Sequence, residues 1–461
     1  MKKLINFSLM LVLALVVTFV AIGESSASAS ELKVGLYPYV PRLDQFKNEI
    51  TKAWNDKHND VTLNFIDWDG GYDSYHTEPT ADVYVFDAMF FDLYKSNNWL
   101  EPMYFSEVEN KQDFYEYAKN GVIGQYVKDG VTQGEKYFAI PQLGCSNVLF
   151  YRKNDQDLAN ATNLQEMNQA LQQCQYTSDI PPDQRGLMLD MEGGTTNAVL
   201  YLDTVYKRKG IYPFELPMDT DALDNQGIDN MQELLAMASY DNATEKKEEE
   251  PDRAEMFSKG YGKAFMGYTE AMSRMQKDSL EDIGMKVMPL SQNDSTTSDL
   301  FYVDVVGVNP KTTDRANAVK LANLIASSEV IYKSLNKDEA EGNPQYLMPV
   351  RPSVMWKLAQ EYPKYDEMSY MLRQSKPLMF KLSEESGNWL DQMKTPIKLA
   401  ARQDYPCGCD VKAVETINNQ GAAETICTET CTNHGGWNGQ WTNEYPAALE
   451  GSVCGCQQCG L

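Results

Sequence analysis

The sequence predicts an α/β protein of two lobes with a cleft between them, followed by a small disulfide-rich C-terminal β module. Two observations carry this prediction. Short apolar runs alternate with amphipathic stretches over some 370 residues, a generous span for one sheet. Cysteine density then changes abruptly, with seven of the nine Cys lying between Cys407 and Cys459.

The chain opens with Lys2 and Lys3, an apolar stretch from Leu9 to Ile22, and small residues ending Ala27-Ser28-Ala29. This is the anatomy of a cleaved secretory signal over residues 1–29. No later stretch reaches the roughly 18 apolar residues of a membrane span, and no Cys near the cleavage site offers a lipid anchor. The expectation is a protein released outside the cell, or into the periplasm of a host with an outer membrane.

After the signal, Leu32 to Val40 reads as a strand, Leu43, Phe46, Ile50 and Trp54 as one face of a helix, and Val61 to Trp68 as a second strand. Ala81 to Met89 is a third, followed by the apolar stretch Phe90 to Trp99. Further strands are expected at Lys136 to Ile140, Asn147 to Tyr151, Met285 to Met288 and Phe301 to Val308. Helices are expected at 164–173, 196–208, 252–260, 314–333, 353–361 and 376–394, and the sheets are expected to be mostly parallel. The charged run from Glu245 to Arg253 reads as a solvated lead-in to a helix. The predicted units are residues 30–402 and the Cys-rich residues 403–461.

In an exported protein, Cys407, Cys409, Cys427, Cys431, Cys454, Cys456 and Cys459 read as a disulfide framework for a module too small to be held by core burial. A zinc site is the competing reading, because Cys427 and Cys431, and Cys456 and Cys459, have ligand-like spacing. Seven is odd, and six Cys alone allow fifteen connectivities, so the pairing stays open.

Charge excludes one class outright. With 41 Lys and Arg against 66 Asp and Glu, the formal net charge is −25, and removing the signal leaves it one unit more negative. A nucleic-acid binder needs a basic footprint.

Cys145 stands between two strand-like runs, with Gly144 before it and Ser146 and Asn147 after, at a junction where open α/β sheets place clefts. It reads as a buried structural Cys or as a nucleophile, which would need a base or an electropositive setting to form the thiolate. His58, His76 and His434 lie in unhelpful contexts. Glu270 stands out instead, in what reads as a polar, aromatic break in a helical run. Tyrosines recur beside acids at expected strand ends: Tyr37 and Tyr39 around Pro38, Tyr72 after Gly70-Gly71, Asp87 closing the third strand, and Tyr302 with Asp304 on one strand face. Such aromatic faces and carboxylates together suit a flat aromatic cation through stacking, cation–π attraction and charge pairing.

At these residues the sequence resembles the thiaminase I family: Leu36-Tyr37-Pro38-Tyr39-Val40-Pro41, Val85-Phe86-Asp87, Ile140 to Tyr151, Gly267-Tyr268-Thr269-Glu270 and Phe301-Tyr302-Val303-Asp304. The matches span roughly residues 31–400. The resemblance implies a fold like the type 2 periplasmic binding proteins and a thiamine pyridinylase activity without cofactor or metal. Cys145 would add to the pyrimidine of thiamine, and the thiazole would leave. An amine, pyridine-type base or thiol would then displace the enzyme, with Glu270 as general base. Tyr37, Tyr39, Tyr72, Asp87, Tyr268, Tyr302 and Asp304 would bind the substrate.

The tail, from about 406 to 461, resembles the cyanobacterial mannan-binding lectin family through Gly436-Trp437-Asn438-Gly439-Gln440-Trp441 and Ser452-Val453-Cys454-Gly455-Cys456. The resemblance implies a surface for mannose-type glycans formed by Asn419, Trp437, Asn438, Gln440 and Trp441. Asn418-Asn419 stands where a Trp-Asn pair is usual, and Gly421 where an acid is common. Two rival readings stay open: a solute-binding protein for thiamine or a related small molecule, and a carbohydrate-adhesion protein working through its tail.

Overall fold

The structure is a computed structural model describing residues 30–58, 60–73, 75–172, 186–190, 193–209, 216, 222–240, 250–290, 300–337, 342–375, 377–402, 410–443 and 452–457. The expected signal at 1–29 lies outside the described residues, as does Cys174. Among the described residues, no helix is long and apolar enough to cross a membrane.

The chain begins with β1 (Ser30–Gly35), α1 (Leu43–Asn55), β2 (Val61–Ile66) and β3 (Val83–Asp87). The helical spacing read from the sequence is what buries Phe46, Ile50 and Trp54 of α1. The Trp54 Nε1–H donates to the Val61 carbonyl (2.9 Å), pinning the start of β2. The expected first strand is shorter than its apolar run, because Leu36 to Val40 turns away as a loop.

Next come α2 (Phe91–Ser96), α3 (Glu116–Gly121), and a hairpin of β4 (Ile123–Lys128) with β5 (Val131–Tyr137). Then β6 (Ile140–Cys145) and β7 (Asn147–Arg152) follow with Ser146 between them. The strand expected at Lys136 to Ile140 is the junction between β5 and β6, so its apolar run is divided between two strands.

The second lobe continues through α4 (Gln156–Asn160), α5 (Leu164–Leu171), β8 (Leu187–Met188), α6 (Gly194–Lys209), α7 (Asn225–Met237), β9 (Ala238–Tyr240), α8 (Glu250–Ser258), β10 (Ala264–Tyr268) and β11 (Ile283–Val287). The solvated reading of the charged run holds poorly at its end. Arg253 in α8 is buried and lies 3.7 Å from Asp190, which supplies the charge that a buried guanidinium needs. Residues 245–249 of that run are outside the described residues.

The chain returns to the first lobe as β12 (Leu300–Val308), α9 (Arg315–Ile325), α10 (Ser328–Leu335), β13 (Met348–Pro349), α11 (Pro352–Glu361), α12 (Pro363–Gln374) and β14 (Leu378–Met379), and then passes into α13 (Ser386–Arg402), which packs chiefly on α6 and α7 of the second lobe. The helix expected at 314–333 is two, because Ser327 is extended and its hydroxyl caps a new helix at Val330 N–H. The helix expected at 376–394 is corrected to β14 followed by α13. Leu378 and Met379 pair with Leu300 and Phe301 at an open stretch of β12, which takes them out of any helix.

The first sheet has the order β13-β6-β12-β3-β1-β2, with β14 also on β12; the second is β11-β7-β10-β8-β9. They are not mostly parallel: β12 runs antiparallel to β3 and β6, and β7 runs antiparallel to β10 and β11. The reason is the route of the chain. Strands β3 and β6 end at the cleft, whereas β12 enters from the second lobe and begins there.

One buried cluster runs through both lobes from Leu32 to Ala401. A second, separate cluster holds the tail, with β15 (Asp410–Lys412), α14 (Gln420–Thr430), β16 (Trp437–Thr442) and β17 (Val453–Cys456). Disulfides Cys427–Cys454 and Cys431–Cys456 staple α14 to β17, so those four sulfurs are unavailable to the zinc reading. Cys407, Cys409 and Cys459 are outside the described residues, as is the expected boundary at 402/403.

At Gly144 a Cβ would stand 2.1 Å from the Tyr302 carbonyl oxygen and 3.1 Å from Val303 Cα, both backbone atoms of β12. Neither can give way without moving the strand. Gly144→Ala is expected to cost about 2–3 kcal/mol of stability, measured as a lowered urea midpoint.

Candidate active site

The cleft is built at strand ends, where the backbone stops pairing and side chains project into open space. Tyr37 follows β1, Asp87 closes β3, Cys145 closes β6, and Tyr268 closes β10 with Glu270 two residues on. Tyr302 and Asp304 stand at the opening of β12. Register then brings them together: Tyr302 pairs with Cys145, Asp304 with Asp87, and Tyr268 with Asn147, two residues beyond Cys145.

Glu270 does not break an α-helix; it follows a strand of the second sheet. It belongs to a 3₁₀ turn, Thr269–Arg274, that follows β10 directly. The apolar run Ala264–Met266 that reads as helical is a central strand of the second sheet.

The first wall is aromatic. Tyr37, Tyr39 and Tyr72 form a triangle with ring centroids 5.5 to 6.4 Å apart. Asp69 holds the loop that delivers Tyr72, its carboxylate accepting from Gly71 N–H (2.8 Å) and Asp73 N–H (3.1 Å). Gly70 lies against the Tyr37 ring, where a Cβ would come within 2.6 Å. The Tyr72 hydroxyl donates to Asp87 Oδ2 (3.0 Å), and the other Asp87 oxygen accepts from Met89 N–H (2.8 Å). Tyr39 is the open edge of this wall at 57% exposure.

The second wall spans the lobes. Tyr268 meets Tyr302 edge to face at 5.7 Å, and Tyr302 rests on Phe380 at 5.2 Å. Cys145, a thiol, is half-buried beside Tyr302. Glu270 is half-buried and faces Asp304 closely enough for its charge to act there.

The electrostatics follow from burial. The Asp87 carboxyl is pushed up to about 6 by its removal from water, against the opposing pull of the Met89 N–H and the Tyr72 hydroxyl. Asp304 is also raised well above the usual carboxylate range, first by burial and then by the charges of Asp87 and Glu270. Three acids around one aromatic recess repel one another and favour a cation among them.

The sequence reading therefore named residues that converge, but it missed Asp203 and Asn147. Asp203, in α6, is buried and accepts from the Tyr302 hydroxyl (2.8 Å) and from Asn147 Nδ2 (3.2 Å). The signal was an acid inside the apolar run Ala198 to Tyr206, which cannot be buried without donors.

In the tail, the expected sugar contacts also serve the module's own backbone. Asn419 caps α14 at Ala422 N–H (3.0 Å), and Trp437 Nε1 donates to the Gln440 carbonyl (2.7 Å). Asn438 Oδ1 accepts from Gln440 N–H (2.9 Å), and Trp441 Nε1 donates to Gln420 Oε1 (2.7 Å).

Fold and site thus define a two-lobed cleft protein carrying a thiol among tyrosines and acids. The model of the thiaminase-1 domain matches residues 146–291, and that of mannan-binding protein matches 420–456. Thiaminase-1 of Paenibacillus thiaminolyticus is 33% identical over 406 residues, covering 85% of this chain and 95% of that protein. The structure of Clostridium botulinum thiaminase I in complex with thiamin has a TM-score of 0.72 and 33% identity, covering 81% of this chain and 100% of that one. The chain belongs to the thiaminase-1 family. A fold likeness extends to the Thermus thermophilus maltotriose binding protein, at TM-score 0.53 and 12% identity over 80% of this chain and 99% of that one. The large unit is accordingly a type 2 periplasmic-binding-protein-like fold.

The Asp87 shift has a sign that can be checked. Between about pH 4 and 6 folded Asp87 keeps a proton that the unfolded chain has released, so its contribution falls as pH rises through that window. Asp87→Asn should remove that fall, gaining about 2.4 kcal/mol relative to the parent on going from pH 4 to pH 7, as read from urea unfolding at both values.

Proposed function

We propose that this chain is a secreted thiamine pyridinylase, a transferase that replaces the thiazole of thiamine with an organic base or thiol. The observation that carries the reading is the placement of Cys145: the last residue of β6, opposite Tyr302 and beside the turn that bears Glu270. Membership of the thiaminase-1 family supports the same activity over the solute-binding and adhesion alternatives, which share either the fold or the tail but give the thiol no task.

In this reading Glu270 takes the Cys145 proton, and the thiolate adds to the electron-poor pyrimidine ring. The bond between the bridging methylene and the thiazolium nitrogen then breaks, with its electron pair leaving on the neutral thiazole. The incoming amine, pyridine-type base or thiol bonds to the methylene carbon, the sulfur is expelled, and Glu270 handles the proton of a protic nucleophile. The covalent adduct divides one difficult displacement into two easier ones. Tyr37, Tyr39, Tyr72, Tyr268 and Tyr302 supply faces for the rings, while Asp87 and Asp304 meet the aminopyrimidine and the cationic thiazolium.

Residues 1–29 act as the export signal, residues 30–402 form the catalytic unit, and residues 403–461 form a glycan-binding module of the mannan-binding type.

Mass spectrometry of thiamine incubated with the protein and pyridine should detect thiazole and a pyrimidine–pyridine adduct. Cys145→Ser should abolish turnover while changing thiamine affinity less than about threefold, and Glu270→Gln should lower the rate by at least about 100-fold. Turnover near the parent's rate in Cys145→Ser would discard the mechanism. Intact thiamine that still binds would favour a solute-binding protein.

For the tail, retention on mannan-agarose that free mannan displaces is expected. Gln440→Ala should weaken it, since that side chain is exposed; passage in the void volume would remove the glycan assignment.

A further inference from the structure

Asp203 is the acid that the proposed chemistry leaves without a task. It lies in α6 with Val199, Leu200, Tyr201, Leu202, Val205 and Tyr206 buried around it, and is itself 5% exposed. An acid in such a setting is stabilised by the donors that reach it. Both donors named above converge on one oxygen, Oδ2, and they come from different sheets: Tyr302 from β12 of the first, Asn147 from β7 of the second.

Those two donors bracket the reactive groups. Tyr302 stands opposite Cys145 in the first sheet. Asn147 follows Cys145 by two residues and stands opposite Tyr268, which precedes Glu270 by two. The Tyr302 ring also forms one wall of the cleft against Tyr268. One carboxylate oxygen therefore ties the strand end that bears the thiol to the strand end that bears the base.

We propose that Asp203 is the positioning residue of this site, holding Tyr302 and Asn147 across the two sheets so that the Cys145 thiol and the Glu270 carboxylate keep a reactive alignment. The proposal rests on the reading of Cys145 and Glu270 given above. Asp203 acts through Tyr302 and Asn147, the two donors that engage its Oδ2. Its loss should therefore appear in turnover rather than in binding, because a small misplacement of reacting groups costs rate steeply.

The test uses the full chain with Asp203→Asn, Tyr302→Phe and the double variant, assayed for thiamine cleavage with pyridine. Each single change should lower kcat by about tenfold or more with KM within about threefold, and the double should be no worse than the poorer single. A kcat for Asp203→Asn within twofold of the parent, or losses that multiply in the double, would overturn the proposal. Should Asp203→Asn fail to fold, Tyr302→Phe decides, since it keeps the ring and removes only the donor; parental kcat there is equally fatal.

A second readout separates this proposal from the one beneath it. Cys145 alkylation by iodoacetamide needs no turnover, and it should slow by about threefold or more in Asp203→Asn, where the thiol loses its alignment with the Glu270 carboxylate that takes its proton. A parent chain that cleaves no thiamine refutes the function. Alkylation then decides Asp203 independently, with an unchanged rate counting against it.

Discussion

The structure depends on one passage of chain, the crossing from the first sheet to the second at Ser146. Strand β6 ends at Cys145 and β7 begins at Asn147, so a single residue separates two sheets of different lobes. Ser146 is buried, and its hydroxyl donates to the carbonyl of Leu300 (3.3 Å), where the chain begins its return as β12. Outward and return passages are thus bonded to each other. Gly144 lets β12 approach so closely that no side chain fits between them. A thiol set one residue from such a crossing has little freedom, which is what a nucleophile needs if its reach is to be fixed by the fold.

The same crossing explains why acids accumulate beside it. Strand ends leave polar groups facing the cleft, and Asp87 of β3, Asp304 of β12 and Glu270 of the turn after β10 gather there. Keeping Asp87 and Asp304 buried raises their proton affinities and works against folding at neutral pH. A fold selected for stability alone would place apolar residues at these positions. The cost is understandable if the cleft takes a cation, whose charge offsets the repulsion when bound, with the tyrosines supplying faces rather than charge.

How much of this was legible in the sequence depended on the kind of signal. Helix α1 was plain because Phe46, Ile50 and Trp54 repeat at helical spacing, and β12 was plain because nine successive residues are buried on both faces. Strand β10 was hidden: Ala264 to Tyr268 is short and apolar, and such runs read equally as helix or buried strand. Strand β14 was hidden for another reason, since two residues become a strand only through the β12 edge they meet. The named site residues converge because they sit at strand ends with recognisable partners. Asp203 escaped because its meaning lies in two donors that are 56 and 99 residues away.

The tail solves a different problem. Its core is a handful of side chains around Val411, Ile417, Ala423 and Ile426, with four of the cluster's members being half-cystines. So small a core cannot hold three strands and a helix by burial alone, and the two described disulfides close loops of 27 and 25 residues. Trp437 and Trp441 pack partly against that core while their indole N–H groups are committed within the module. What the module can offer a ligand is therefore the exposed part of the two ring faces, together with the exposed amide of Gln440, the Asn438 carboxamide being folded against Gly455 with its oxygen on Gln440 N–H. Such a surface favours contacts by shape and stacking over contacts by hydrogen bonding.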